Sequence, residues 1–221
     1  MNYHHRVVKR SYDASRRQAA ARENRQAILA AAARLFVDPG YAGARMSDVA
    51  DAAGVSVPTV AAHFGSKKGL LSAVLDVSIA GDDEPVPMSE RSFVEEINAL
   101  PTARQKLERY AVELAQAFAR VVDVQLALEH AAIVDADAAA ILAKNDEEQL
   151  HAMTMFAAGL MATGDVRAGL GSDQVVSVLV LAMAVRNYDW LVRQRGFSVD
   201  DYVQWYVGSV AGAILGDSQP S

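Results

Sequence analysis

The sequence contains no cysteine. It therefore excludes a disulfide framework, a thiolate nucleophile and a cysteine-based zinc site, and a reducing compartment such as the cytoplasm is the expected location. It also lacks an uninterrupted apolar run of about 18 residues, the length that a membrane-spanning helix requires. The first residues have no apolar segment of the kind that a secretory signal contains. Neither secretion nor membrane insertion is predicted.

Basic residues are scarce overall but concentrated at one end of the chain. The net charge is −6, which taken alone argues against a nucleic-acid partner. Residues 1–75 nevertheless hold 11 Lys/Arg and 5 Asp/Glu, a net charge of +6, whereas residues 76–221 hold 10 and 22, a net charge of −12. This asymmetry is typical of a DNA-binding domain joined to a domain that stays off the duplex, although a solvated basic surface has the same composition.

Strand patterns are missing as well. No segment shows sustained alternation of Val, Ile and Thr between turn residues, whereas Ala-, Leu- and Glu-rich stretches with 3.6-residue spacing recur. The predicted fold class is therefore all-α. Helices are expected at residues 15–37, 48–53, 56–64 and 66–80, with Ser47, Ser56 and Ser66 as N-caps, and at 101–120, 124–134, 136–163, 173–195 and 198–215.

The most informative stretch runs from Gly40 to Leu71. Two short helices flank the turn Ala53-Gly54-Val55-Ser56, and this spacing is typical of a helix-turn-helix, in which glycine permits a sharp turn and the second helix enters the major groove. The apolar residues around the turn, which predict a small core, are Val49, Ala50, Ala53, Val55, Val60 and Phe64. A helical corner with no role in DNA binding has the same pattern.

Here the sequence resembles the TetR family of transcriptional repressors. The residues that carry the likeness lie between Arg25 and Val74 and include Ile28, Leu29, Ala31, Ala32, Leu35, Phe36, Gly40, Tyr41, Met46, Val49, Ala50, the turn 53–56, Thr59, His63, Phe64, Ser66, Lys67, Leu70 and Leu71. The resemblance implies a homodimer whose recognition helices, here residues 56–64, enter successive major grooves of a palindromic operator. It also implies a small-molecule effector bound in the C-terminal part of the chain.

Two positions depart from the family pattern. Ala44 stands where a hydroxyl residue is usual, and Ala61 stands where a recognition-helix tyrosine is usual. Both positions normally contact phosphate, and such contacts position a protein without reading sequence. The two departures predict a lower affinity for DNA, or phosphate contacts made by other residues of the head.

Residues 81–87 divide the chain, because their three acidic residues and two prolines do not continue a helix. We predict a basic N-terminal arm over residues 1–20. The predicted helix-turn-helix DNA-binding domain and its linking helix occupy residues 21–80, called the head, and the helical-bundle ligand-binding and dimerisation domain occupies 81–221, called the body. Cationic residues of the arm that could reach the DNA backbone or minor groove, unless the arm is a disordered tail, are Arg6, Lys9, Arg10, Arg16 and Arg17.

Ten residues of the head are predicted to contact DNA: Arg45, Ser47, Ser56, Val57, Pro58, Thr59, Ala62, His63, Lys67 and Lys68. Arg45 is the best candidate for bidentate contact with guanine, and small apolar side chains on the second helix suit thymine methyl groups. Backbone N–H groups at the helix starts near Ser47 and Ser66 can hold phosphate. Lys68 has the alternative of being a solvated surface charge.

The body contains candidate pocket and interface residues. The predicted pocket residues are Tyr110, Leu114, Phe118, Leu126, His130, Met153, Phe156, Met161 and Trp190, each of which could equally be ordinary core. Such a lining favours a lipophilic or aromatic effector. The last two predicted helices carry more apolar surface than one hairpin buries, and the predicted dimer interface, with an intramolecular core as the alternative, comprises Val178, Ala182, Val185, Trp205 and Val210.

Two other classes of function are compatible with parts of the sequence. Glu148 and His151 form one Glu-x-x-His motif, but a di-iron helical bundle needs two such motifs and two further glutamates, so a solvated acidic face is favoured. A non-DNA adaptor with a degenerate head is favoured only by Ala44 and Ala61. Because no Ser/His/Asp arrangement, glycine-rich phosphate loop or HExxH is present, no catalytic residues, no cofactor and no metal are predicted.

Overall fold

A computed structural model describes the backbone of residues 4–216 and the side chains of residues 18–216. These residues form ten α-helices and no strand, which confirms the predicted all-α fold class. The helices are α1 (His4–Leu35), α2 (Met46–Ala53), α3 (Val57–Phe64), α4 (Lys67–Ala80), α5 (Ser92–Ala99), α6 (Ala103–Ala132), α7 (Ala136–Met161), α8 (Ser172–Ala182), α9 (Val185–Tyr188) and α10 (Val199–Ile214). The side chains of Arg6, Lys9, Arg10, Arg16 and Arg17, which were predicted to reach DNA, lie outside the described residues.

Several helices differ from the predicted ones. Helix α1 begins at His4 and not near residue 15, α5 was not predicted, and the predicted helix 173–195 is interrupted between α8 and α9. The predicted helices 101–120 and 124–134 are one helix, α6, because no glycine or proline interrupts them and the residue at the expected break, Asp123, is exposed and paired with Arg193 (Oδ1 to Nη1 2.7 Å).

Helix α4 lies between the head and the body. It packs against α1 on one side and against α6 and α7 on the other. Its buried residues Leu70, Leu71, Val74 and Leu75 belong to one continuous set of buried side chains that runs from α1 to α10. The apolar cores of the head and the body therefore meet on this helix.

The body is built around α6, which packs against α7, α9 and α10. Along α10, Tyr202, Tyr206, Val210 and Ile214 recur every four residues, so they share one face, and all four are fully buried within the protomer. Among residues 4–216, no single helix is long and apolar enough to cross a membrane, and only the bent pair Ser172–Ala182 and Val185–Gln194, taken together, reaches that length and composition.

Candidate functional site

The turn between α2 and α3 has the predicted geometry. Gly54 has φ of +67°, a left-handed conformation that a side chain disfavours, and its N–H donates to the carbonyls of Ala50 and Asp51. Ser56 precedes α3, and its Oγ accepts a hydrogen bond from the Thr59 N–H at 3.2 Å. The predicted roles of Gly54 and Ser56 are confirmed, and together they set the direction in which α3 leaves the turn.

The start of α2 differs from the prediction. The predicted N-cap, Ser47, lies inside the first turn of the helix, and Arg45 occupies the N-cap position. The carboxylate of Asp48 accepts a hydrogen bond from the Arg45 N–H at 3.2 Å, and the Ser47 hydroxyl lies 3.3 Å from the same carboxylate. The capping group is therefore Asp48, three residues after Arg45, a spacing at which a carboxylate reaches back to the N-cap.

The end of helix α3 and the start of helix α4 are in close contact. Ser66 is the predicted N-cap of α4, and its Oγ accepts a hydrogen bond from the Gly69 N–H at 3.1 Å. A methyl group added to Gly69 would collide with the backbone carbonyl oxygen of Phe64, at the end of α3. Only glycine permits this approach, so the start of α4 lies in direct contact with the end of α3.

The first turns of α3 form an open, mostly apolar surface. Val57, Pro58, Ala61 and Ala62 are exposed, and the exposed fraction of Val57 is 43%. On the opposite side, Val60 is fully buried in the head core. Of the other residues predicted to contact DNA, Arg45, Ser47 and Ser56 are exposed, while Thr59 and His63 are half-buried.

The two departures from the family pattern have different consequences. Ala44 is only 2% exposed, so its methyl group contributes to the head core and offers no group to a phosphate. Ala61 is exposed on α3, where its small side chain leaves the surface open.

The two lysines at the start of α4 point toward the body. The Lys67 ammonium lies 4.2 Å from the ring centre of Tyr41, and burial lowers the pKa of Lys67 while Asp135 opposes that shift. Burial, together with Asp135 and Asp137, raises the pKa of Tyr41 to about 12. The Lys68 ammonium lies 3.1 Å from an Asp137 carboxylate oxygen. Both lysines therefore already have protein partners, Lys67 in the Tyr41 ring and Lys68 in Asp137 at the start of α7.

Two arginines hold the joint between head and body. Arg25 on α1 donates to both carboxylate oxygens of Asp83 at 2.6 and 2.9 Å, and its guanidinium lies 4.6 Å from the ring centre of Phe64. Arg120 on α6 donates to the carbonyls of Ser78 and Ile79 at 3.3 and 2.9 Å, which satisfies acceptors at the end of α4. A groove of about 310 Å³ lies beside this joint, between α1, α4 and residues 81–83.

The predicted pocket residues fall into three groups. Leu114, Phe118 and Met153 are buried; Tyr110, Leu126 and Phe156 are half-buried; His130, Met161 and Trp190 are exposed. The exposed three do not line an interior cavity of the protomer, because the faces of α6, α7 and the segment Asp189–Gln194 that carry them point to solvent. The Tyr110 ring centre lies 4.7 Å from that of Phe156, and the Tyr110 hydroxyl lies 3.8 Å from the Met153 sulfur. These residues form one cluster in the body.

Sequence reasoning missed two members of this cluster, Tyr202 and Tyr206. The ring centres of Tyr110 and Tyr206 lie 6.0 Å apart, and the hydroxyls of Tyr202 and Tyr206 are enclosed with no hydrogen-bond partner. Burial is the main cause that raises the pKa of all three phenols. The four-residue spacing of Tyr202 and Tyr206 placed them on one helix face, but it did not indicate that the face points inward.

The predicted interface residues also divide. Val185 is 7% exposed and Val210 is fully buried, so the protomer's own core takes up both side chains and neither faces a second copy. Val178, Ala182 and Trp205 are half-buried, as expected for residues at the edge of an exposed face. Leu181, which was not predicted, is 73% exposed.

The Glu-x-x-His motif lies on a solvated face of α7. The Glu148 carboxylate is 3.2 Å from the Lys144 ammonium, and His151 is exposed. Within the described side chains, no group of three or more His, Asp or Glu residues is arranged to hold a metal ion.

Part of the chain matches known proteins by sequence. Residues 28–74 match the family described as bacterial regulatory proteins, tetR family. Over 53 residues the chain is 51% identical to the HTH-type transcriptional activator FasR of Mycolicibacterium smegmatis, and the match covers 24% of this chain and 24% of the relative. The chain therefore spans, in this match, about a quarter of the length of that curated relative.

Solved structures resemble most of the chain. A putative TetR-family transcriptional regulator from Rhodococcus sp. has a TM-score of 0.64 and 24% identity, over 87% of this chain and 98% of that one. FadR from Bacillus subtilis, in complex with stearoyl-CoA, has a TM-score of 0.65 and 17% identity, over 85% of this chain and 98% of that one. Both proteins are described as transcriptional regulators. Residues 28–74 therefore form a TetR-family N-terminal domain, and the chain as a whole has the fold of TetR-family regulators.

Proposed function

We propose that the protein is a homodimeric, DNA-binding transcriptional repressor that holds a palindromic operator and releases it when the body binds a small molecule. The observation that carries this proposal is the exposed start of α3, the second helix of the helix-turn-helix, on a head of basic character. A helix so placed can enter the major groove, while the excess of cations supplies affinity for phosphate.

The exposed residues suggest how bases are read. Val57 offers an apolar surface that suits a thymine methyl group, and Arg45 can donate two hydrogen bonds to guanine. Thr59 Oγ1 is 2.8 Å from Ser56 Oγ, so we assign Thr59 to positioning the helix start. The Lys68–Asp137 pair is exposed on both sides, and such pairs contribute only about 0–1 kcal/mol, so a DNA phosphate can replace Asp137.

We place the dimer interface on the exposed face of α8 and α10. Leu181 projects from α8, and Gly208 and Gly212 lie one turn apart on α10 with open space around them. Two copies packed on this face form a four-helix bundle around a two-fold axis, the arrangement that a palindromic operator requires. The half-buried Val178, Ala182 and Trp205 then complete the interface.

We assign transmission of the ligand signal to α4. Its first turn is fixed to α3 by Gly69, and its last turn is held by Arg120 of the body. A ligand that changes the position of α6 would therefore move the last turn of α4 through Arg120. Helix α4 would carry that movement to α3 through the contact at Gly69. Only a ligand with different affinities for the two positions can shift the equilibrium, and operator DNA must then weaken ligand binding by the same factor.

The direction of regulation is part of the proposal. The FasR relative is named an activator, and its likeness to this chain is confined to 53 residues. The FadR structure contains stearoyl-CoA, so a protein of this fold binds a small molecule. We propose repression, as the resemblance of residues 25–74 to the TetR family of repressors implies.

The test is selection of duplexes from a random pool by the intact protein. We expect an inverted repeat with half-sites about 10 base pairs apart and an affinity that falls steeply with salt. Val57→Glu should abolish binding by placing a carboxylate against the groove, whereas Val86→Glu, at a residue that is equally 43% exposed but outside the head, should not. Failure to bind any duplex at low salt favours the adaptor, and a promoter fused to a reporter distinguishes repression from activation.

A further inference from the structure

The interior of the body contains hydroxyl groups that its own packing leaves unsatisfied. Tyr202 and Tyr206 are both fully buried, and neither phenolic oxygen has a hydrogen-bond partner. Nearly all buried hydroxyl groups in folded proteins have such a partner, because an unpaired one loses its bonds to water without replacement. Two on adjacent turns of the same helix face require an explanation.

A third hydroxyl adjoins them. The Tyr110 hydroxyl contacts only the sulfur atoms of Met153 and Met183, at 3.8 and 3.9 Å, and thioether sulfur is a weak acceptor. The ring centres of Tyr110 and Tyr206 lie 6.0 Å apart, and Tyr202 lies one turn from Tyr206 on the same face of α10, so the three phenols belong to one cluster. Phenols are protonated at neutral pH, so all three are able to donate.

The surroundings of these hydroxyls are apolar and deformable. The side chains of Met153 and Met183, which are 3% and 7% exposed, adjoin the Tyr110 hydroxyl, and aromatic rings pack against all three tyrosines. Methionine is unbranched and adopts many shapes, so it can move aside for a molecule that enters the cluster.

The charge of such a molecule is limited by the cations within reach. Among the described side chains, Lys106 is the only charged one that is buried, and its ammonium already donates to the carbonyls of Ile97 and Asn98 at 2.9 and 2.7 Å. A carboxylate or phosphate placed against the tyrosines would therefore be buried without a counter-charge, which is strongly unfavourable.

We propose that Tyr202, Tyr206 and Tyr110 form the polar end of the effector site, and that this site takes an uncharged, largely apolar molecule with a carbonyl or ether oxygen. The oxygen accepts hydrogen bonds from the phenols while the apolar part replaces the methionine side chains. This inference rests on the proposed ligand-responsive function and adds the chemical class of the ligand and the residues that recognise it.

The test uses three probes of similar shape. 2-Acetylnaphthalene has a carbonyl acceptor, 2-ethylnaphthalene has none, and 2-naphthoate is an anion. Titration calorimetry on the full chain is expected to show that the ketone binds about tenfold more tightly than the hydrocarbon, as the loss of one hydrogen bond implies, and more tightly still than the anion, whose charge would be buried. The double variant Tyr202→Phe/Tyr206→Phe should lose most of the preference for the ketone over the hydrocarbon, because only the Tyr110 hydroxyl remains. Tyr188→Phe is the matched control, since Tyr188 packs on Tyr202 but its hydroxyl is not one of the enclosed, unpartnered atoms.

Ligand-free protein provides a second measurement. Replacing an unsatisfied hydroxyl by hydrogen should leave the Tm of the double variant equal to or above that of the wild type. A lower Tm, with unchanged ketone binding, would mean that internal water satisfies the phenols and would overturn the proposal. Preference for 2-naphthoate, equal binding of all three probes by the wild type, or no binding of the ketone up to its solubility would also overturn it.

DNA binding is measured separately, without any probe. The wild type and the double variant should bind the selected operator equally. If neither binds DNA, the proposed regulatory function is refuted while the calorimetric result on the tyrosines still stands.

Discussion

Two substitutions to aspartate, at Leu181 and Val210, distinguish the proposed dimer interface from the protomer core. Leu181 on α8 is 73% exposed and Val210 on α10 is fully buried. A carboxylate at residue 181 remains in water in the isolated protomer, where surface substitutions change stability by about 0.5 kcal/mol or less. We therefore expect Leu181→Asp to give a folded monomer and Val210→Asp to prevent folding.

The magnitudes follow from the burial of each side chain. Full burial of a leucine contributes about 1.5–3 kcal/mol, so covering the exposed three quarters of Leu181 contributes about 1–2 kcal/mol per protomer. A two-fold interface counts this twice, and the loss of about 2–4 kcal/mol raises the dimer Kd by roughly 30- to 1,000-fold. At Val210, the loss of valine burial adds to several kcal/mol for an unpaired buried carboxylate, which approaches the whole stability of about 5–15 kcal/mol.

Sedimentation velocity over a range of concentrations measures the first effect, and circular dichroism during heating measures the second. Ile133→Asp is the control, because Ile133 is 79% exposed but lies at the end of α6, on neither interface helix. A Leu181→Asp variant that dimerises like the wild type would place the interface elsewhere. A folded Val210→Asp variant would contradict the packing of α10.

Three further outcomes are expected. Gly69→Ala should destabilise the protein by about 1–3 kcal/mol, because the added methyl group collides with the backbone. Gly159→Ala, in open space within α7, should be neutral or stabilising by up to about 1 kcal/mol. Thermal unfolding that ranks the two variants in the reverse order would refute the close contact at Gly69. Arg45→Ala should relax preference at one base pair per half-site by about 1–3 kcal/mol, and a uniform loss across all sequences in a competition assay would make Arg45 a phosphate contact. The hydrogen bond from Arg91 lowers the pKa of Asp82 to about 2, so the stabilisation by Asp82 is present above about pH 4 and is lost as the pH falls through about 2. The Tm values of the wild type and Asp82→Asn should therefore converge as the pH falls over that range. If the difference between the two Tm values does not change with pH, the Arg91–Asp82 pair adds nothing to stability.

Local signals in the head were sufficient to predict its geometry. Gly54, Ser56 and Ser66 act within three or four residues of themselves, so their effect can be read from neighbouring sequence. The predicted start of α2 was wrong because Ser47 is a good N-cap in isolation. In the structure Arg45 takes that position, and its N–H donates a hydrogen bond to the Asp48 carboxylate. Two adequate capping residues within one turn leave the boundary undecided by sequence alone.

In the body, periodicity identified apolar faces but not what covers them. Val210 and Leu181 are both apolar residues on helices, yet one is fully buried and the other is exposed. That difference depends on which helices pack together, and no local pattern encodes it. The contacts that join head and body also link residues that are distant in sequence: Lys68 with Asp137, and Arg120 with the Ile79 carbonyl. Nothing in the local sequence around these residues indicates that they pair.

The rigid junction at Gly69 makes α4 a mechanical lever. Its 14 residues extend about 21 Å at the α-helical rise of about 1.5 Å per residue. If the end next to the head is the pivot, a tilt of about 10° moves the Arg120 end by roughly 4 Å; if the far end is the pivot, the recognition helix moves by the same amount. Base-edge hydrogen bonds tolerate a few tenths of an ångström, so a rotation of only about one degree already exhausts that tolerance. In the proposed mechanism, an effector therefore needs to displace the body only slightly to shift the recognition helices away from the base edges of the operator.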